Sequence, residues 1–256
     1  MKLATWNVNS LKARMPRVVE LLEQHRPELL FLQETKADPD AFPELELNAA
    51  GYRGVHHSAG RWAGVALAAR EGIELEDVCI GLAGEPAVDQ ARWIEASAAG
   101  VRAVSVYVPN GRAVGTPFYA DKLRFLEAAA ERIRELSEGP LIVAGDFNVC
   151  PTDLDVYDPA AFVGATHVTE PERERFRALL AAGTIDAFRE LHPDDPGFTW
   201  WDYRAGHFHK KLGLRIDAFL LSPPLAERLE SCGIDRSFRK GPKPSDHAPL
   251  LAELRA

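Results

Sequence analysis

Short apolar runs alternate with amphipathic helical stretches along the chain, and the polar residues that punctuate the runs change ends partway through. "LATWNV", "ELLFLQE", "GVALAA", "RWIEAS", "RAVSVYV" and "PLIVAG" have the length and apolar content of strands. "SLKARMPRVVELLEQH" reads as a helix with Leu11, Val18, Leu21 and Leu22 available for one face, and "FYADKLRFLEAAAERIREL" reads as a second. "TEPERERFRALLAAG" reads as a third, with Thr169 and Glu172 at capping-box spacing and Gly183 as its stop. "RIDAFLL" and "APLLAEL" follow as strands. Asn7, Glu34, Asn110 and the pair Asp146/Asn148 sit at or just past the C-terminal ends of their strands, whereas Asp217 and the neighbours Asp246 and His247 sit at strand beginnings. If these groups meet at one edge, the late strands run opposite to the early ones. The pattern predicts an α/β fold with mixed sheets and disfavours a purely parallel Rossmann or TIM architecture.

At 256 residues and 46% hydrophobic, the chain can bury a sizeable core, and residues 1–256 are expected to form one domain. Its 3 cysteines, Cys79, Cys150 and Cys232, are scattered and outside any CxxC pair, which argues against a disulfide framework or a cysteine-built zinc site and fits a reducing cytoplasm. "MKLATWNVNS" reaches Asn7 too soon for a signal-peptide core, and no stretch approaches the ~20 apolar residues that span a bilayer. A soluble protein with no membrane partner is expected. With 38 acidic and 30 basic residues the formal charge is −8, so the bulk field repels a polyanion and nucleic-acid contact must rest on local basic patches.

Several segments carry candidate chemistry. "GDFN" places Asp146 and Asn148 on a tight turn, where they could face one cleft or simply make an Asx turn. "SDHAP" fixes Asp246 beside His247 between Pro244 and Pro249, as a metal site, a phosphate grip or a surface turn. Acids and amides at several strand ends, with one adjacent histidine, offer hard oxygen ligands suited to Mg²⁺ or Mn²⁺. The chain has no HExxH, GxSxG, GxxxxGK[ST] or GxGxxG, so zinc proteolysis, serine hydrolysis and nucleotide cradling lack their signatures. Metal-assisted hydrolysis of a phosphate ester remains. Arg204, His207, His209, Lys210, Lys211 and Arg215 precede Asp217, and Arg236, Arg239, Lys240 and Lys243 precede Asp246, so two basic segments lead into two candidate strands. Either segment could be a solvated loop, and Trp200, Trp201 and Tyr203 could be alternating core and surface residues.

The ordered set "TWNVNSLKAR", "LQETK", "YVPNG", "GDFNVCPTDLD", "TWWDYR", "LRIDAFLL" and "KPSDHAPL" resembles the exonuclease III family of DNA-repair nucleases over nearly the whole chain. The resemblance implies a four-layer α/β sandwich of two mixed β-sheets flanked by helices, the DNase I-like endonuclease/exonuclease/phosphatase fold. It implies a metal site at Glu34, aided by Asn7 and Asp246, with Asp146, Asn148 and His247 also in the ligand set. It further implies a water-activating Asp146, a phosphate-binding Asn148, an active-site Tyr107 and an Asp217 that supports His247. Trp200, with Leu214 near it, matches the pocket for a base-free sugar; Asn110, Arg204, Lys210 and Lys211 are the remaining DNA-contact candidates, and no role is carried onto Arg112. The implied cofactor is Mg²⁺, with Mn²⁺ able to substitute, and the implied partner of a monomer is double-stranded DNA containing abasic sites or recessed 3′ ends. Cleavage 5′ to abasic sites and removal of 3′-terminal nucleotides or 3′-blocking groups are the expected activities. A lipid or inositol phosphoesterase of the same fold, or a DNA-binding module that has lost catalysis, are the alternatives.

Overall fold

The computed structural model describes residues 1–255. Its first sheet contains β1 (Lys2–Asn7), β2 (Leu29–Gln33), β3 (Tyr52–His57) and β4 (Val65–Arg70). The second contains β5 (Glu76–Ile80), β6 (Trp93–Ala98), β7 (Val101–Tyr107), β8 (Leu141–Asp146), β9 (Ile185–Asp186) and β10 (Asp217–Leu221). The first sheet is completed from the far end of the sequence by β11 (Leu229–Ile234) and β12 (Leu250–Leu254), giving the orders β11-β12-β1-β2-β4-β3 and β5-β6-β7-β8-β10-β9. Only β1 with β2 and β7 with β8 pair in parallel; the other neighbours are antiparallel. The mixed sheets expected from the polar punctuation are therefore present, and the late strands β10 and β12 run against their early neighbours.

The central strands are near-continuous apolar runs because both of their faces are covered. One face of each sheet meets the other across a core that includes Leu3, Phe31, Leu67, Ile142, Phe219 and Leu250. On the outside of the first sheet, α1 (Leu11–His25) buries Val18, Leu21 and Leu22 against Trp6, Leu30 and Leu32, with the short α2 (Glu44–Ala49) beside β3. On the outside of the second, α3 (Pro117–Leu136) and α4 (Glu170–Ala181) bury Phe125, Ile133, Phe176 and Leu179 against Val104, Val143 and Leu220. Each such side chain contributes roughly 1.5–3 kcal/mol of burial. Among the described residues no helix is long and apolar enough to cross a membrane.

The strands that the apolar pattern does not reveal are β3, β5, β9 and β11, which are the four outer strands of the two sheets. A strand with one ladder partner and solvated faces needs no apolar run; every residue of β5 is exposed. "TWWDYR" is not a strand either: Trp201 is buried, Tyr203 is exposed, and Trp200 makes isolated bridges to Leu214 and His247.

Two groups of buried charges tie the layers together. Arg215, counted above with the basic segment before Asp217, is 2% exposed and pairs with Asp155 at 2.6 Å and Asp186 at 2.7 Å, so it braces the scaffold and is unavailable to a substrate. On the helical side, Glu172 closes the capping box of α4 with Thr169 and forms an ion pair with Lys122 of α3, both side chains fully buried. Burial alone would raise the Glu172 carboxyl, but the Lys122 ammonium and the Thr166 and Thr169 donors outweigh it and hold it at about 2. Burial also depresses Lys122, so its charge depends on Glu172. A carboxyl lowered from 4.5 to about 2 stabilises the fold above its unfolded value, and the contribution fades as pH falls toward the folded one. Glu172→Gln should therefore cost roughly 3 kcal/mol in urea unfolding near neutral pH, and the gap from the parent should narrow between about pH 5 and about pH 3. A gap that does not change with pH would mean that Glu172 carries no depressed charge.

Candidate active site

The ends of β1, β2, β7 and β8 and the beginnings of β10 and β12 share one edge of the sandwich. Register does much of the placement: Tyr107 stands opposite Asp146 across β7 and β8, and Asp146 stands opposite Asp217 across β8 and β10. Gly145 permits this close fit, since at its φ of 153° an added Cβ would lie 1.9 Å from the Val106 carbonyl oxygen. From the other sheet, Asn7 ends β1 and Glu34 follows β2. The Asn7 Nδ2 group donates to Glu34 Oε1 at 2.8 Å and to Asp146 Oδ2 at 2.9 Å, so one buried amide joins a carboxylate from each sheet. Glu34 has a left-handed backbone, φ 49°, an uncommon state for a residue with a Cβ, and Lys36 Nζ steadies its side chain at 2.7 Å.

His247 lies within the same group. Its Nδ1 is 2.9 Å from Asp217 Oδ2 and its Nε2 is 3.7 Å from Asp146 Oδ2, with all three side chains nearly excluded from solvent. Burial pushes the imidazole down, but the Asp217 carboxylate and its hydrogen bond overcome this and raise it to about 10. Burial raises Asp146 to about 8; His247 opposes that shift, while Asp217 and Glu34 reinforce it. Burial, then the Glu34 and Asp146 carboxylates, raise the Tyr107 phenol well above its ordinary value, leaving it a protonated donor. Glu34, Asp146 and His247 each offer an atom within 4.8 Å of the others, the one such group among the described residues. The clustered carboxylate oxygens fit a hard divalent cation, while His247, held protonated, stands beside them as a donor.

The flanking residues complete a cleft of about 160 Å³. Asp146 Oδ1 accepts from the Asn148 backbone N–H at 2.9 Å, so "GDFN" is both an Asx turn and part of the cleft. Asn148, at φ 52°, donates through Nδ2 to the Val108 carbonyl at 2.9 Å and accepts from Asn110 Nδ2 at 3.4 Å. Asp246 accepts from Asn9 Nδ2 at 3.1 Å and from Trp200 Nε1 at 3.0 Å, which ties the indole into the cleft wall. Leu214 and Ile216 line the cleft beside Trp200; Leu214 is 1% exposed and packs against the indole. Arg239, from the second basic segment, is buried and donates to the Ser245 and Trp201 carbonyls, bracing the "PSDH" turn.

Arg204, Lys210 and Lys211 do not line the cleft. All three are exposed, and Arg204 is engaged by Asp202 at 2.7 Å. Residues with no sequence signal do enter the site. His167, at φ 82°, lines the cleft with its Nδ1 2.6 Å from the Asn148 carbonyl oxygen, and burial lowers it to about 4, keeping it neutral. Asn9 and Lys36, which share a 2.6 Å hydrogen bond, support Asp246 and Glu34; only their adjacency to "WNV" and "QET" could have marked them.

Residues 4–247 match the model of the Endonuclease/Exonuclease/phosphatase family. The chain is 32% identical to the exodeoxyribonuclease III of Haemophilus influenzae, with all of both chains covered. It is 40% identical to the 3′ phosphatase NExo from Neisseria, solved with a product DNA hairpin, at a TM-score of 0.96 over the whole of both chains. It is 37% identical to an AP endonuclease from Archaeoglobus fulgidus, with a TM-score of 0.95 and again 100% of each chain. The chain belongs to the endonuclease/exonuclease/phosphatase family, in its exonuclease III branch of DNA-repair nucleases, and is a nuclease that hydrolyses phosphodiester bonds.

Proposed function

We propose that this chain is a Mg²⁺-dependent phosphodiesterase that cuts DNA 5′ to abasic sites and removes 3′-terminal nucleotides or 3′-blocking groups. The observation that carries the reading is the buried cluster of Glu34, Asp146 and His247, bridged by Asn7 and backed by Asp217. Glu34 and Asp146 would hold the ion, with His247, Asp246, Asn7 and Asn148 around it. A bound divalent cation supplies charge that offsets the negative charge growing on the phosphoryl and leaving oxygens.

Asp146, as a carboxylate, takes the proton of the attacking water, and the adjacent His247 cation favours that ionised form against the cost of burial. His247, protonated through Asp217, donates to the phosphoryl oxygens together with Asn148 and Tyr107. The wall of Trp200 and Leu214 receives a sugar without a base. Such a sugar leaves the helix more readily than an intact nucleotide, whose unstacking costs a few kcal/mol. The activities of the relatives, a 3′ phosphatase, a 3′-5′ exonuclease and an AP endonuclease, support 3′-end processing and abasic cleavage within one cleft. The reading includes one domain over residues 1–256, a monomer, and a reducing cytoplasm, in keeping with the free cysteines. Mn²⁺ should substitute for Mg²⁺. Parallel assays on abasic duplex, recessed 3′ ends, 3′-phosphorylated ends and inositol phosphate test the reading. Metal-dependent turnover of the DNA substrates is expected, and turnover of the inositol phosphate alone would overturn it.

Asp146→Asn should lower kcat by roughly 10²–10⁴-fold with DNA affinity little changed, since the base is lost without loss of volume. Near-normal turnover would remove Asp146 from that role. Glu34→Gln should raise the Mg²⁺ concentration needed for half-maximal activity, and an unchanged titration would contradict the ligand assignment. Binding should weaken steeply with salt, by about −0.9 in log–log slope per neutralised phosphate, and replacing Lys210 and Lys211 with Gln should flatten that slope. Unaltered salt dependence would make their loop a solvated bystander.

A further inference from the structure

The buried pair Lys122–Glu172 takes no part in the chemistry above, yet it lies directly behind the cleft. Lys122 Nζ donates to the Asn148 carbonyl at 2.6 Å, to Thr166 Oγ1 at 3.1 Å and to the Asn110 carbonyl at 3.3 Å, besides its contact with Glu172. Glu172 Oε1 accepts from Thr166 Oγ1 at 2.7 Å and from the His167 N–H at 2.9 Å. One ion pair thus gathers three separate segments: the loop after β7, the loop after β8 and the approach to α4. Gly111 presses the first of these onto the lysine stem. At its φ of 85°, a Cβ would lie 2.9 Å from Lys122 Cδ and 3.0 Å from Thr166 Oγ1.

The carbonyls so held belong to Asn110 and Asn148, whose side chains border the cleft and hydrogen-bond to each other. Both residues lie beyond the ends of β7 and β8, where the strand ladder no longer fixes them. Two apolar side chains could fill the volume of the pair at a smaller desolvation cost. They could not supply donors to two backbone oxygens, and that difference separates a packing role from a positioning one.

We propose that Lys122, paired with Glu172, is a positioning residue that sets how Asn110 and Asn148 present their amides to the phosphate of bound DNA. The inference rests on the nuclease reading. The test is the volume-conserving double variant Lys122→Met/Glu172→Gln, which leaves no unpaired buried charge. With folding verified, kcat on abasic or 3′-recessed duplex should fall by roughly 10–100-fold, with KM and the Mg²⁺ titration within about twofold of the parent. In an Asn148→Ala background the same double change should cost less than about threefold, because the group it positions is already gone. Hydrogen exchange at residues 109–111 and 147–149 should quicken while β1 and β12 keep their protection. Undiminished kcat, the full loss persisting without Asn148, or unchanged exchange in both loops would each overturn the proposal. If the double variant does not fold, Gly111→Ala, which forces its loop off the lysine stem without altering charge, must give the same kcat loss and loop exchange. Failure of the parent protein to cleave any DNA would refute the nuclease reading instead, and the exchange measurement would still judge this inference.

Discussion

The amide of Asn7 is the contact on which the geometry of the cleft depends. Two carboxylates from different sheets, Glu34 and Asp146, repel each other in a setting that hydrates neither fully. A group with two N–H donors and no charge can hold both without cancelling either. A lysine there would neutralise the charge that a cation must meet, and a serine could donate only one hydrogen. Because Asn7 ends a central strand, its position is fixed by its register with Gln33 of β2, while β12 pairs with the strand as far as Thr5. The facing of the two sheets is thereby translated into a separation between the two carboxylates.

Charge is arranged in opposite senses at short and long range. The chain is net acidic, and the cleft concentrates carboxylates at its deepest point. His247 is a cation inside that cluster, and Asp217 keeps it so against the cost of burial. In the proposed mechanism the remaining burden falls to a divalent ion and to two neutral donors, Tyr107 and Asn148. Such donors are oriented before substrate arrives, so they need no reorganisation as charge moves. Selection for DNA over other phosphate esters must then come from surfaces around the cleft, since the chemistry at its floor is common to many of them.

Much of this was legible in the sequence because the informative residues are local. Strand ends carrying Asn7, Glu34, Asp146 and Asn148, and strand starts carrying Asp217 and His247, predicted antiparallel late strands, and the topology bears this out. The outer strands escaped notice because exposure on either face removes the apolar pattern. Arg215 and Arg239 looked like substrate contacts because a basic residue reads the same whether it meets a phosphate, a buried carboxylate or a carbonyl. His167 and Lys122 gave no signal, since the loop that buries one and the helix that carries the other are brought to the cleft only by tertiary packing.

The pairing of β1 with β12 joins Lys2–Thr5 to Leu250–Glu253 at the centre of one sheet. Asn7 follows one partner and His247 precedes the other, so the cleft closes only when the two have met. Loop-closure entropy and high contact order make that meeting a late event in folding. A chain in which β12 has not yet paired with β1 holds neither His247 nor Asp246 in the cleft, so the constellation belongs to the fully paired fold and to no partly assembled form of it.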